Sequence, residues 1–163
     1  MVTLMKKQSF FLLLAVISLF LSCKKDEEEP ISPYFFSCKI AGKDYAISNV
    51  TGAYALVYSS TRNDIYGTEV GVVTTPSPRT MYITIESTKG VGVHNFDGKN
   101  SIYFEDADKS LYRTNFNGGS GKIEITSKTA TEIKGTFSGT ANTFTTPMKT
   151  INITDGQFLV KFK

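Results

Sequence analysis

The sequence predicts an all-β domain, built as a mostly antiparallel sandwich or barrel of about ten strands. Three observations predict this class. Apolar and polar residues alternate with a period of two through most of the chain after residue 33, β-branched and aromatic residues dominate these runs, and turn-forming residues separate them. No segment has the apolar spacing of a helix, so the strands lack helical crossovers and should pair antiparallel. A sandwich and a closed barrel both stay open.

Residues 35–40 and 45–47 are predicted as the first two strands, with a turn at Gly42 between them. Alternation along a strand puts one face on a core and the other in water. The same alternation, or a short apolar run between turn signals, predicts further strands at residues 70–74, 80–85, 91–96, 102–104, 111–116, 122–126, 133–138, 151–153 and 158–162. Prolines follow the strand predicted at 70–74 and end it, because proline has no N–H to donate to the hydrogen bonds of a sheet.

Turns that contain Asp-Gly or Asn-Gly pairs separate the later strands, at Asp97-Gly98, Asn117-Gly118 and Asp155-Gly156. These pairs tolerate the positive φ angles that tight hairpins require, so the last two are predicted as hairpin turns. Residues 105–110 are the only stretch that could form a helical turn. They are predicted as a loop, because the residues on both sides favour strands.

The N-terminal segment has the layout of a secretory signal. Two lysines precede an apolar run at residues 10–21, which is shorter than the ~20 apolar residues that a membrane span requires. The small residue Ser22 and then Cys23 follow, which resembles bacterial lipoprotein signals. That resemblance implies that residues 1–22 are a signal peptide and that Cys23 is lipidated and becomes the first residue. An ordinary cleaved signal is the alternative.

Residues 23–33 are predicted as a charged, flexible tether. Residues 24–29 are all charged and two prolines follow, and such a composition cannot bury enough apolar surface to fold. Lysines and acidic residues directly after the lipid cysteine resemble the surface-export signal of Bacteroidota lipoproteins. The resemblance implies that a single all-β domain, residues 34–163, faces outward from the outer membrane. The periplasmic face is the alternative.

Charge and composition exclude several classes of protein. The chain has 18 Lys and Arg against 15 Asp and Glu, a net charge of +3. Two of the lysines belong to the predicted signal peptide, so the remainder is near +1, which argues against a surface that neutralises phosphates and so against a nucleic-acid partner. One histidine and two cysteines exclude most His/Cys metal centres and a disulfide framework. No cofactor is predicted.

The two ends of the domain carry a family resemblance. The segment 36–45 turns at Gly-Lys, the segment 133–141 contains Gly-Thr-Phe, and the segment 151–158 contains Thr-Asp-Gly-Gln-Phe. These patterns resemble a family of small Bacteroidota lipoproteins with a domain of unknown function. The resemblance implies an all-β fold and a lipid-anchored location, and it transfers no catalytic residue.

A nucleophilic catalytic site is not predicted. His94 is the only histidine, and any Ser-His-Asp arrangement would have to use it, yet it lies inside a predicted strand. The sequence also lacks a Gly-x-Ser-x-Gly nucleophile elbow. Cys38 lies on an alternating strand and is predicted to be a small buried hydrophobe.

Glu105, Asp106 and Asp108 form the densest acidic cluster outside the tether. They are weak candidates for a calcium site, because calcium prefers several oxygen ligands and loop carboxylates supply them. The cluster lacks the spacing of an EF-hand, so a solvated loop is the default interpretation. Together with Asp97, the same loop carboxylates could serve a hydrolase.

Tyr82, Tyr103 and Tyr112 are predicted as a candidate ligand face, because tyrosine combines a large flat ring with a hydroxyl. The favoured function is a membrane-anchored, surface-exposed, non-catalytic binding or accessory module with a glycan or protein ligand. Two alternatives stay open: a secreted hydrolase that uses loop carboxylates, and a structural partner of an outer-membrane complex that docks through an edge strand.

Overall fold

Eleven β-strands and no helix make up the part of the chain that the computed structural model describes, residues 32–69 and 78–163. The strands are β1 (Phe35–Ile40), β2 (Lys43–Ile47), β3 (Ala53–Ser59), β4 (Arg62–Thr68), β5 (Thr80–Glu86), β6 (Gly92–Asn95), β7 (Ser101–Glu105), β8 (Leu111–Arg113), β9 (Ser120–Lys128), β10 (Glu132–Thr143) and β11 (Thr150–Phe162). The predicted all-β fold is confirmed, with eleven strands against about ten expected. None of the described residues belongs to a helix long and apolar enough to span a membrane.

Some of the sequence-based predictions concern residues outside the described ranges. The signal peptide at 1–22, the lipidation site at Cys23, most of the tether and the strand predicted at 70–74 all lie there. The described residues belong to one compact unit, Ser32–Lys163.

The strands form one mixed sheet in which every pairing among the described residues is antiparallel, except that of β11 with β3. The ladders run from β11 through β3, β4, β5, β7, β8 and β10 and return to β11. This closed circuit makes the fold barrel-like. The β1–β2 pair lies beside β11, and the β9–β6 pair lies beside β10.

Inward-facing aromatic and branched side chains fill the interior of the sheet. The rings of Phe36 and Phe137 lie 5.1 Å apart, and Tyr45 contacts Phe36 and Phe104 edge to face. Gly67 of β4 leaves room for one of these rings, because a Cβ built there would lie 2.6 Å from Phe36 Cγ. Burial of each such side chain contributes about 1.5–3 kcal/mol, so the core fixes which residues of β4 face outward.

Asp155-Gly156 forms a β-bulge inside β11, so the hairpin turn predicted there is wrong. The strand runs unbroken through this pair, and Asp155 has a φ of 53°. On the partner strand the register shifts between Phe137 and Gly139, so that two residues of β11 oppose one of β10. An Asp-Gly pair supplies the positive φ of a bulge as readily as that of a turn, and the local pattern does not distinguish them.

The glycine-rich turn around Gly118 connects β8 to β9, but the predicted hairpin between them is also wrong. Both strands pair with β10 instead: β8 through residues 112 and 113, and β9 through residues 120–128. β10 forms a hairpin with β9 across residues 129–131 and another with β11 across residues 144–149. β10 lies between β8 and β9 in the sheet. This long-range pairing cannot be predicted from the residues of the turn alone.

Candidate functional site

Four tyrosines form a continuous stack on the outer face of β3, β4, β5 and β7. Tyr54, Tyr66, Tyr82 and Tyr103 are direct cross-strand partners in that order. Their ring centroids are 4.9, 5.5 and 4.6 Å apart along the row, and each pair is stacked. We name these four residues the tyrosine ladder. In-register aromatic pairs stabilise a sheet, so the ladder also ties four strands together.

Strand alternation places the ladder on the outside. Tyr66 lies between two buried residues, Ile65 and Gly67, and Tyr82 lies between Met81 and Ile83, which are also buried. Successive side chains of a strand point to opposite faces, so burying those neighbours turns the tyrosines outward. The ladder rings are half-buried because they cover one another.

A cation covers the outer ring face at each end of the ladder. Lys163 Nζ lies 3.7 Å from the Tyr54 ring centroid, and the Arg113 guanidinium carbon lies 4.5 Å from that of Tyr103. The two inner rings have neighbours on both faces. No flat ring face is therefore left free for a ligand, and the ladder presents ring edges and hydroxyl groups.

The ladder hydroxyls have no hydrogen-bond partner among residues 32–69 and 78–163, where the tyrosine hydroxyls that do bond belong to Tyr34 and Tyr45. Burial is the largest cause that raises the pKa of Tyr66 and of Tyr82 above the ordinary tyrosine value. Both hydroxyls are therefore protonated near neutral pH. They can donate one hydrogen bond to a ligand and accept others.

A groove of about 480 Å³ adjoins the Tyr103 end of the ladder. We name it the ladder groove, and its lining residues are Thr61, Arg62, Thr84, Ile85, Glu86, Gly98, Lys99, Ser101 and Tyr103. Thr84 and Ser101 lie two positions from Tyr82 and Tyr103 on their strands, so they share the outer face with the ladder. The groove is lined mainly by hydroxyl groups and by charges of both signs.

An ion pair forms one side of the ladder groove. Arg62 donates two hydrogen bonds to Asp64, from Nε to Oδ1 at 2.8 Å and from Nη2 to Oδ2 at 2.6 Å. Thr84 Oγ1 donates a third, to Asp64 Oδ1 at 2.9 Å. The Asp64 side chain is fully buried, so these donors compensate a charge that would otherwise be costly to enclose.

A second charged group lines the groove on β5, where Glu86 is the cross-strand partner of Arg62. Glu86 pairs with Lys99 at 3.0 Å and with Lys89 at 3.4 Å. The hydrogen bond from Lys99 is the largest cause that lowers the pKa of Glu86 below its ordinary value. Glu86 is therefore ionised near neutral pH and is suited to accept hydrogen bonds rather than to donate a proton.

Two of the three tyrosines predicted as a ligand face belong to the ladder, and the third does not. Tyr82 and Tyr103 are adjacent rungs, whereas Tyr112 is only 6% exposed and packs in the core 6.1 Å from Phe104. The assignment of Tyr112 to the ligand face is wrong, because Arg113 rather than Tyr112 is the cross-strand partner of Tyr103. A difference of one residue moves a side chain to the opposite face.

The carboxylates of the 105–110 loop are already engaged with the protein. Glu105 pairs with Lys109 at 2.8 Å, Asp108 pairs with Lys149 at 3.6 Å, and Asp106 accepts the N–H of Ala107. Across the described part of the chain, no group of three or more His, Cys, Asp or Glu residues could hold a metal ion.

The carboxylates considered for a hydrolase lie at opposite ends of β7. Asp97 precedes the strand and accepts the N–H groups of Lys99 and Asn100, while Glu105 ends it. At ~3.3 Å per residue the strand spans roughly 13 Å, beyond the ~5–9.5 Å that paired carboxylates of glycosidases require. The structure therefore does not bring Asp97 together with Glu105 and Asp106.

His94 and Cys38 both lie away from the ladder. His94 is on β6, and its Nε2 is 2.8 Å from the carbonyl oxygen of Gly90. Cys38 is a free, buried thiol, as predicted. Burial is the largest cause that raises the pKa of this thiol, to about 12, so it stays protonated and unreactive at neutral pH.

Sequence reasoning missed the groove lining other than Tyr103, the end cations Lys163 and Arg113, and two rungs of the ladder, Tyr54 and Tyr66. The two tyrosines lie on β3 and β4, which were not predicted as strands. The available signal was the spacing of Tyr54 and Tyr66 on either side of the turn at 60–61, which places them opposite each other in a hairpin. For Arg113 the sequence carried no such signal.

A second groove, of about 520 Å³, lies on the outer face of β9, β10 and β11. Its lining is mostly hydroxyl and charged side chains, such as Thr136, Ser138 and Lys122, and the aromatic side chain in it, Phe137, is buried. Ligand sites usually combine apolar or aromatic surface with a few polar groups. The ladder groove meets this description better, because the exposed edge of Tyr103 lines it.

Comparison with known proteins places the chain in a family. The model of the family DUF6252, described as a domain of unknown function, matches residues 59–160, more than half of the chain. That span includes Tyr66, Tyr82 and Tyr103, and it excludes Tyr54. Neither a curated protein nor a solved structure matched the chain. The chain therefore belongs to the DUF6252 family, a domain of unknown function.

Proposed function

We propose that the protein is a non-catalytic binding module, anchored to the outer membrane by a lipid on Cys23, whose ligand surface is the tyrosine ladder with the ladder groove. The ligand class that fits this surface best is a glycan. A protein ligand is the competing outcome of the binding experiment below. The lipid anchor and the outward orientation rest on the sequence, and the ligand surface rests on the geometry.

One observation carries the binding proposal: four tyrosine hydroxyls lie in one row without a partner among the described residues. The row crosses three strand spacings, roughly 14 Å. A polymer that repeats hydroxyl groups can meet successive rungs of such a row. A small apolar ligand would leave both these hydroxyls and the polar lining of the groove unpaired, which is unfavourable.

The expected mode of binding is lateral hydrogen bonding rather than ring stacking. Neighbouring rings, Lys163 and Arg113 cover the ladder faces, so a sugar cannot stack on them. Ring edges and the charged groups Lys99 and Glu86 are available beside Tyr103. Together they supply donors and acceptors at close spacing, which suits the many hydroxyls of a glycan.

A glycan array tests the binding proposal. The full-length protein in detergent is applied to the array and compared with Lys99→Gln, which alters the groove, and with Lys134→Gln, which removes the same charge from an exposed position on β10. We expect glycans to be retained by the wild type and by Lys134→Gln, and to be retained at least about tenfold more weakly by Lys99→Gln. Binding to no glycan, or equal binding by all three, would contradict a glycan site in the groove.

The anchor is tested by changing Cys23 to Ser. A single acyl chain gives only reversible attachment, so the several chains that the lipoprotein resemblance implies should hold the wild type permanently in the membrane fraction. We expect the variant to leave that fraction. Protease treatment of intact cells then reports orientation: digestion of the domain supports the cell surface, and full protection supports the periplasmic face.

A structural role in an outer-membrane complex keeps one observation in its favour. Within the described ranges β6 pairs with β9 only, and Val93 on this edge strand is 56% exposed. Exposed strand edges are templates for pairing with another chain. A Val93→Lys variant that loses a protein partner in pull-downs from membranes, while keeping its glycan binding, would support this second function.

A further inference from the structure

We infer that Arg113 is an anion-recognition site at the end of the tyrosine ladder, and that the glycan of the ladder is therefore an acidic one, bearing carboxylate or sulfate groups. The choice of a glycan as carrier rests on the proposed function. The anion site itself rests on the surroundings of Arg113, and the experiment below separates the two.

Two aromatic rings hold the Arg113 side chain in place. Its guanidinium carbon lies 4.5 Å from the ring centroid of Tyr103 and 4.8 Å from that of Phe144. Phe144 is held in turn by Phe116, with ring centroids 3.5 Å apart. Attraction between a cation and ring faces fixes the guanidinium between these walls. An anion would then meet a cation that has little conformational freedom left to lose on binding.

Within the described ranges the charge of Arg113 has no partner, in contrast to those of the other two arginines. Arg62 pairs with Asp64, and Arg79 pairs with Glu69. Within residues 32–69 and 78–163, Arg113 has neither an ion pair nor a hydrogen bond, and its buried Nε is a donor without an acceptor. Its Nη1 and Nη2 atoms are not enclosed in this way, so they are the donors that a ligand can reach.

Cation–π contacts with Tyr103 and Phe144 account for a cation at this position, but not for the choice of arginine over lysine. The planar fork of arginine matches the two oxygens of a carboxylate or a sulfate, and its Nη1 and Nη2 atoms, which are not enclosed, can make that contact. As the cross-strand partner of Tyr103, Arg113 also continues the ladder row, so one extended ligand can reach both.

Binding to three polymers tests the inference: polygalacturonate carries carboxylates, dextran sulfate carries sulfates, and dextran is neutral. Retardation of the full-length protein in gels that contain each polymer is compared for wild type, Arg113→Gln, Arg113→Lys and Lys134→Gln. We expect at least one acidic polymer to bind about tenfold or more tightly than dextran. Arg113→Gln should lose that preference, and Lys134→Gln should keep it.

The Arg113→Lys variant separates forked recognition from charge alone. Lysine keeps the positive charge but is a compact point charge without the planar fork. We therefore expect the Arg113→Lys variant to bind the acidic polymer more weakly than the Lys134→Gln variant, which has lost one positive charge on β10 but keeps the guanidinium of Arg113. Equal binding by wild type and Arg113→Gln would overturn the inference, and so would equal binding of acidic and neutral polymers. Circular dichroism establishes that each variant is folded.

A small-anion titration tests the anion site without any glycan. The three arginines give three Nε–Hε signals in an NMR spectrum, and Arg113→Gln identifies the one that belongs to position 113. We expect sodium sulfate or acetate to shift this signal at constant ionic strength, and sodium chloride to leave it in place. A shift without binding of any polymer would sustain the anion site and contradict the glycan. Binding of polymers without a shift would sustain the glycan and contradict the anion site.

Discussion

Tyr82 lies face to face with Tyr103, with ring centroids 4.6 Å apart and ring planes 6° apart. Tyr66 stacks on the other side of Tyr82 at 5.5 Å. Tyr82 is therefore an inner rung of the ladder and contributes to two stacked pairs at once. The same residue links stability to the proposed ligand surface, and substitutions at it can separate the two.

Replacing Tyr82 with leucine should lower the free energy of unfolding by about 1–3 kcal/mol, because two stacked pairs are lost and each contributes ~0.5–1.5 kcal/mol beyond burial. Tyr82→Phe keeps both stacks and should stay within about 0.5 kcal/mol of the wild type. Urea unfolding followed by circular dichroism measures both. Equal stability of the leucine and phenylalanine variants would show that stacking contributes nothing here.

Replacing Arg62 with glutamine should destabilise the protein by about 2 kcal/mol. The change leaves the buried Asp64 carboxylate with Thr84 as its only remaining side-chain donor among the described residues. Breaking a buried pair typically costs ~3–5 kcal/mol, and the 37% exposure of the Arg62 side chain reduces this figure. Adding Asp64→Asn should recover part of the loss. If the two substitutions destabilise the double variant by the sum of their separate effects, Arg62 and Asp64 are not coupled.

Gly67→Ala should destabilise the protein by about 1–3 kcal/mol, because the added methyl group overlaps the Phe36 ring and the core around it is filled. Gly90→Ala is the matched control, since a Cβ there meets nothing within 4 Å. Thermal unfolding of both variants measures the difference. A Gly67→Ala protein as stable as Gly90→Ala would mean that Phe36 moves aside without cost.

Stability should fall as the pH rises above about 8.5. Burial raises the pKa of Cys38 to about 12 and also raises the pKa of Tyr45, whereas the unfolded chain has values of ~8.5 and ~10. Between the unfolded and the folded pKa values the unfolded state binds fewer protons than the folded state, so the free energy of unfolding falls as the pH rises. Below the unfolded pKa values the full stabilising contribution of both groups is present. Cys38→Ala should flatten the dependence between pH 8.5 and pH 10. An identical slope in the variant would refute the assignment to Cys38.

Several strands with regular alternation were predictable from the sequence. The two strands that carry half of the ladder, β3 and β4, were not. Apolar alternation located β5, β7, β9 and β10, because their inward positions are isoleucine, methionine and phenylalanine. β4 begins with Arg62, Asn63 and Asp64, and asparagine and aspartate are depleted in strands. The fold tolerates a buried Asp64 only because Arg62 and Thr84 hydrogen-bond to it. That compensation is tertiary and leaves no local pattern.

The failure at Tyr112 has a similar cause. β8 is three residues long, too short for alternation to fix which side chains face inward. Its pairing with β7 and β10 sets the phase, so Tyr112 packs against Phe104 and Arg113 faces outward. The predicted ligand face of three tyrosines is therefore a row of four, in which Tyr54 and Tyr66, from strands that were not predicted, take the place of Tyr112.

The binding affinity of a variant with all four ladder tyrosines changed to phenylalanine tests the central claim most directly. The substitutions remove the hydroxyls and keep the stacks, so the melting temperature should stay within a few degrees of the wild-type value. The account predicts at least about tenfold weaker binding to the glycans that the wild type retains. Unchanged affinity in a folded variant would show that the ladder is packing between strands and not a ligand surface.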